Sequence, residues 1–259
     1  MSAGARIRAI LRKEWLELRK NKLVIGGMTV LPLVLVASAL VMPAMMDLGA
    51  KPKGMGGLPP SLAGVPPGEA LLMLLCDQFA ALLLLTPTLL PATIAGHSVV
   101  GEKQARSLEP LLASPVETWE LLVAKALTAV LPAIAIGWLS YGMCAVGYTF
   151  LASPRVAAHF IRPAWILGML VLSTLLALVS TLLTVIVSSR TNDVRVAQGA
   201  SAFIALPVLA LGSLSLIGKT VVTVTHIAIA SGVAALADAL LLWLAVRLFQ
   251  RERILTRWK

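Results

Sequence analysis

Six stretches of this chain are too long and too apolar for a water-soluble fold. A helix crossing a bilayer needs roughly 20 mostly apolar residues. The runs at 23–46, 70–100, 120–150, 165–188, 199–217 and 226–246 meet or approach that length. The sequence therefore predicts an all-α integral membrane protein of six transmembrane helices, with 1–259 forming a single membrane domain. Composition agrees: 13% of the 259 residues are charged, against about 25% in a typical soluble domain. That excludes an ordinary cytosolic enzyme and a disulfide-stapled secreted domain, and it leaves no space for a large soluble domain. Cys76 and Cys144 both fall inside apolar runs and read as small buried hydrophobes rather than a disulfide.

The connecting segments set the orientation. Residues 1–22 are basic and precede the first run, which exceeds the roughly 7–15 residues of a signal-peptide core; it reads as a retained span. Residues 47–69 carry Gly54, Gly56, Gly57, Pro59, Pro60, Pro66 and Pro67 and read as an irregular loop. Residues 151–164, with Pro154 and Pro163, also read as a loop, and 189–198 as a polar turn. Net charge is +10. In a soluble protein that balance would suggest nucleic acid; here the cations sit at alternate ends of the spans, and no nucleic-acid partner is expected. Segments 1–22, 101–125, 189–198 and 247–259 hold 17 Lys and Arg, against 5 in 47–69, 151–164 and 219–225. Cations remain cytoplasmic, so both termini are predicted inside. No internal repeat stands out, which argues against an inverted-repeat secondary transporter.

Two cytoplasmic elements suggest mechanism. Residues 1–22 read as an amphipathic interface helix, with Ile7, Ile10, Leu11, Trp15 and Leu18 on one face and Arg8, Arg12, Lys13, Arg19 and Lys20 on the other. Glu14 interrupts the apolar face. A carboxylate there is costly without a partner: either a neighbouring Arg or a contact with the 101–118 segment. That segment, GEKQARSLEPLLASPVET, is longer than a plain connector requires. Leu108, Leu111 and Leu112 form an apolar docking side, and Glu102, Lys103, Arg106 and Glu109 supply charges that fix orientation.

GEKQARSLEPLLASPVETWELLVAK closely resembles the cytoplasmic coupling segment of type-2 ABC transporter permeases in order, spacing and position after the second span. The N-terminal helix, the six spans and the SSRTNDVRVAQ turn look similar to the same family. The resemblance implies a six-helix exporter fold like that of the G-subfamily half-transporters. It implies two paired permease chains, identical or paralogous, in the lipid bilayer of a bacterial or archaeal cytoplasmic membrane. Two copies of an ABC ATPase subunit would dock beneath and hold the ATP and Mg. Two departures are a short link between spans five and six and a small 47–69 loop, where some members carry larger insertions.

The chain itself carries no nucleotide site. Gly212 to Lys219 superficially suggests a phosphate loop, but five residues separate Gly212 from Gly218 where that loop requires four. No catalytic, cofactor-binding or metal site is expected. Among intramembrane polar groups, Asp238 lies nine residues before Arg247, about 13 Å into the membrane. It is a candidate pathway residue or a structural partner of a neighbouring helix. His97 is a second pathway candidate, and Asp77 and Gln78 sit near the outer end of span two. Pro87 and Pro91 predict a kink in that span. An Asp77–Asp238 protease dyad is disfavoured by their unequal depths; an ATPase-independent carrier or channel is the alternative function. Small residues Ala92, Ala95, Gly199 and Ala202 are candidates for close contact with the second chain. Small apolar spans and few aromatics favour an amphipathic or hydrophobic cargo.

Overall fold

The computed structural model describes residues 3–47, 62, 64–104, 118–191, 193–217 and 221–248, with side chains for all of these except 23, 46, 47, 99–104, 118, 122, 194, 214–216 and 248. It is all-helical in these residues. In chain order the helices are α1 (Ala3–Lys20), α2 (Lys22–Asp47), α3 (Pro67–Leu83), α4 (Leu85–Gln104), α5 (Thr118–Leu151), α6 (Pro154–Phe160), α7 (Pro163–Leu167), α8 (Ser173–Arg190), α9 (Val194–Leu216) and α10 (Val224–Leu248). Six helical stretches are long and apolar enough to cross a membrane: Val24–Met45, Pro67–Ser98, Trp119–Leu151, Pro154–Arg190, Arg195–Ser213 and Val224–Arg247.

Proline sets several of the boundaries. α3, α6 and α7 each start with a proline in the first turn, where its missing N–H leaves no bond unmade. For this reason the 151–164 stretch, expected to be a loop, is helical over Pro154–Phe160. Likewise only residues 191–193 separate α8 from α9 in the segment expected to be a longer polar turn. There Asp193 Oδ1 accepts the Arg195 N–H at 2.8 Å, capping the new helix. The second span is broken at Leu84, between α3 and α4. Pro87, three residues on, cannot donate to the preceding turn. α5 closes onto this break through Gly137, where a Cβ would stand 3.1 Å from Pro87 Cδ.

A single π-helical turn, Gly168–Leu172, joins α7 to α8. Such a turn frees a carbonyl, and Met169 O is taken up by Trp138 Nε1 at 2.6 Å and by the Ser173 hydroxyl.

The second span is the centre of the bundle. Of its apolar window 72% is buried, against 11% for α10 and 22% for α9. The main core joins α3, α5, α6 and α8 around Trp165, Tyr148 and Phe160, all essentially inaccessible. A smaller core near α1 gathers Val24, Met28, Leu90, Ile94, Ala95, Ala129, Ala133 and Val185. Ala92 and Ala95 are therefore covered within the chain and do not face a second one, whereas Gly199 and Ala202 remain exposed. The outward faces are apolar, with Phe150, Phe203 and Leu236 more than 70% exposed; in a bilayer those side chains meet acyl chains without cost.

Candidate functional site

The end of the bundle that carries the basic segments holds two buried ion pairs, and α1 contributes to both. Glu14, in the middle of α1, is 4% exposed. Its Oε1 lies 3.0 Å from Lys125 Nζ on α5, itself 5% exposed. Ser98 of α4 closes the triangle: its hydroxyl donates to Glu14 Oε2 at 2.8 Å and accepts from Lys125 Nζ at 2.7 Å. Burial alone would raise the Glu14 carboxyl. The Lys125 charge and hydrogen bond, the Ser98 hydroxyl and the Lys13 ammonium outweigh it and hold it below its ordinary 4.5. The buried ionised pair is thus fully satisfied, the condition under which such a pair is tolerated.

The second rung is Arg6 with Glu120. Arg6 Nη2 reaches Glu120 Oε1 at 2.6 Å and Nε reaches Oε2 at 2.9 Å, a two-point fork of the kind that fixes orientation as well as distance. Glu120 is inaccessible to solvent and lies in the first turn of α5, where a carboxylate also suits the helix dipole.

These contacts have a geometric consequence. α4 ends at Gln104 and α5 begins at Thr118, so they are the two stems from which the 101–118 segment hangs. Both stems are tied to α1, one through Ser98 and the other through Glu120 and Lys125. Glu14 therefore meets the flanks of that segment rather than a neighbouring arginine. Of the residues singled out in the segment, Glu102 and Lys103 stand on the last turn of α4, with side chains outside the description. Arg106, Leu108, Glu109, Leu111 and Leu112 lie outside the described residues. His97 is half-buried, one residue before Ser98.

Asp238 is placed elsewhere. α10 packs on α8 along its length, from Ile227 against Gly168 to Ala245 beside Leu182 and Ile186. Asp238 shares the face of Ala234, Leu241 and Ala245, so its carboxylate is turned toward α8. Both oxygens are buried, with no hydrogen-bond partner among the described residues.

At the opposite end, Asp77 of α3 is also inaccessible. Its Oδ1 accepts from Arg162 Nη2 at 2.5 Å and Trp165 Nε1 at 2.9 Å, with His159 Nε2 at 3.1 Å. Tyr141 donates to Phe160 O at 2.7 Å and stacks on its ring at 4.9 Å, so α6 is pinned across the mouth of the bundle. Asp77 is thus committed to α6 and α7, which removes it as a partner for Asp238. No group of three or more metal-ligating side chains occurs among the described residues.

Arg6, Ser98, Glu120, Lys125, His159, Arg162 and Trp165 did not stand out in the sequence. For one of them a signal existed. A carboxylate on the apolar face of α1 requires a buried cation, and Lys125 is the lysine that opens an otherwise apolar span.

Comparison with protein-family models matches the model described as ABC-2 family transporter protein over residues 8–230. The chain belongs to the ABC-2 transporter family. It is accordingly a multi-pass membrane permease of an ABC transporter, and the matched region takes in α1 from Arg8 onward, both stems and five whole spans. No curated protein matches the chain. Permeases of this family work with ABC ATPase partners, so the transport role belongs to the membrane component and not to chemistry in this chain.

Proposed function

We propose that this ABC-2 permease is the membrane half of an ATP-driven exporter. Two such chains, identical or paralogous, pair in a bacterial or archaeal cytoplasmic membrane, with both termini in the cytoplasm. Two ATPase subunits, which hold ATP and Mg, dock on the 101–118 segment. Leu108, Leu111 and Leu112 supply the docking face; Glu102, Lys103, Arg106 and Glu109 set its register. The cargo is a small amphipathic or hydrophobic compound.

The observation that carries this reading is the double rung from α1 to both stems of the segment. A push on 101–118 moves α4 and α5 together, and α1 holds their spacing. Coupling between distant sites is carried by packed and ion-paired networks with discrete arrangements, and the α1 contacts to Ser98, Glu120 and Lys125 are a network of that kind.

The test uses the permease coexpressed with its ATPase. Leu111→Ala with Leu112→Ala removes docking area worth roughly 2–4 kcal/mol and is expected to weaken ATPase association, read as reduced copurification. Glu102→Lys is expected to leave the complex assembled while hydrolysis no longer drives export, because a rim charge contributes more to register than to affinity. Wild-type assembly and transport in both variants would refute the assignment in favour of an ATPase-independent carrier.

A further inference from the structure

Two recesses meet at Trp15. One, of about 530 Å³, is bounded by Gly4, Ile7, Arg8, Leu11, Arg12 and Trp15 on α1. The other, of about 320 Å³, is a wholly apolar groove between α1, α2 and α5, lined by Trp15, Leu18, Ile25, Met28, Pro132 and Ile136 among others. Both are open depressions on the surface rather than enclosed cavities, and Trp15, 40% exposed, belongs to both.

The two recesses differ in chemistry. Arg8 and Arg12 are exposed, lie one helical turn apart, and have no ion-pair partner among the described residues. The neighbouring cations are occupied: Arg6 by Glu120 and Lys13 by Glu14 and Glu17. The groove beyond Trp15 offers no charge. It continues along the first turns of the Val24–Met45 span, that is, into the hydrocarbon. Cations at the surface, an amphipathic ring at the boundary and an apolar slot below are the sequence of chemistries an acidic phospholipid presents.

We propose that this is a site for one anionic glycerophospholipid. Its phosphate sits between the Arg8 and Arg12 guanidinium groups, and one acyl chain lies in the groove between α2 and α5. Arg8 and Arg12 are not among the residues that pair α1 with α5, so a bound lipid leaves those ion pairs in place. The site does not depend on the ATPase assignment, and its test involves no ATPase.

The full-length chain is reconstituted in nanodiscs of equimolar phosphatidylglycerol and phosphatidylcholine, released, and examined by native mass spectrometry for retained lipid. One phosphatidylglycerol is expected to remain in preference to phosphatidylcholine. Arg8→Gln with Arg12→Gln should lower that retention roughly thirtyfold, about fivefold per guanidinium. Arg190→Gln with Arg195→Gln removes the same charge from the same end and should leave it unchanged. Ala135→Trp keeps both arginines but fills the groove, and should also release the lipid. Equal losses in the two arginine pairs would mean a diffuse surface field and overturn the site. Full retention in Ala135→Trp would overturn the acyl-chain placement. Displacement by inorganic phosphate alone would identify a soluble-anion site instead of a lipid one.

Discussion

Replacing Lys125 with Met isolates one buried charge. Among the described residues the Glu14 carboxylate would then keep the Ser98 hydroxyl at 2.8 Å and the Lys13 ammonium at 3.8 Å. Breaking a buried pair by removing one partner costs about 3–5 kcal/mol. The carboxyl has an escape, which is to take up a proton. From its ordinary value of 4.5, protonation near pH 7 costs about 3.4 kcal/mol, so the loss is capped near that figure. In a chain near this size each kcal/mol moves Tm by about 2–4 °C, giving a fall of roughly 7–14 °C. The assay is thermal unfolding in detergent or nanodiscs, followed by tryptophan emission at several pH values. Because protonation relieves the isolated carboxylate, the deficit against wild type should shrink as pH falls toward 4.5. Adding Glu14→Gln to Lys125→Met should recover most of the loss, since a neutral pair of similar volume carries no stranded charge. A wild-type Tm for Lys125→Met near neutral pH, a deficit that persists unchanged at acid pH, or simple additivity of the two substitutions would each refute the pairing.

Four other outcomes follow from the same geometry. In wild type the lowered Glu14 carboxyl means stability from this pair is complete above 4.5 and is lost as pH falls through the lower folded value; a Tm that declined between about pH 7 and about pH 5 through this group would contradict it. Arg6→Gln removes the fork to Glu120 and should cost about 2–3 kcal/mol, seen as faster hydrogen exchange in the first turns of α5. Gly212→Ala puts a methyl 2.7 Å from Ala81 Cβ and 2.9 Å from Gln78 Oε1, so α9 must move off α3 at a cost of about 1–3 kcal/mol; Gly232→Ala on α10, with nothing within 4 Å of the added methyl, is the control in the same melting experiment. Asp238→Leu removes a buried carboxyl with no partner among the described residues and should raise Tm, the gain being about 1–3 kcal/mol; a lower Tm would show that Asp238 is satisfied by a group beyond these residues.

The spans were legible in the sequence because lipid imposes a one-dimensional rule: roughly 20 apolar residues for each crossing. The interruptions were legible only in part. Pro87 and Pro91 predicted a kink, but the break at Leu84 also depends on α5 approaching through Gly137. Pro154 and Pro163 suggest a loop from sequence alone, but a proline suits a first helical turn equally well, and α6 and α7 each begin with one. What holds α6 in place is tertiary: Phe160 buried between Tyr141 and Tyr148, and the Asp77 contacts from 82 to 88 residues away.

The candidate site was legible as a demand before it was legible as a contact. Glu14 on an apolar face requires a cation or donor, but the sequence does not say which; Lys125 and Ser98 lie 111 and 84 residues off. Neither residue is distinctive in isolation, since a lysine opening a span has a ready alternative in reaching toward headgroups. The structure turns these ordinary residues into one arrangement because α1 crosses both stems. If an ATPase docks on 101–118 as proposed, a clamp made by Ser98, Glu120 and Lys125 uses none of Leu108, Leu111 and Leu112 and ties α4 and α5 to the same helix. On this logic Lys125→Met, which removes the Glu14 pairing at the α5 stem, should preserve ATPase copurification while reducing transport per ATP hydrolysed. If copurification and coupling fell in parallel, the clamp would be part of the docking surface rather than the strut behind it.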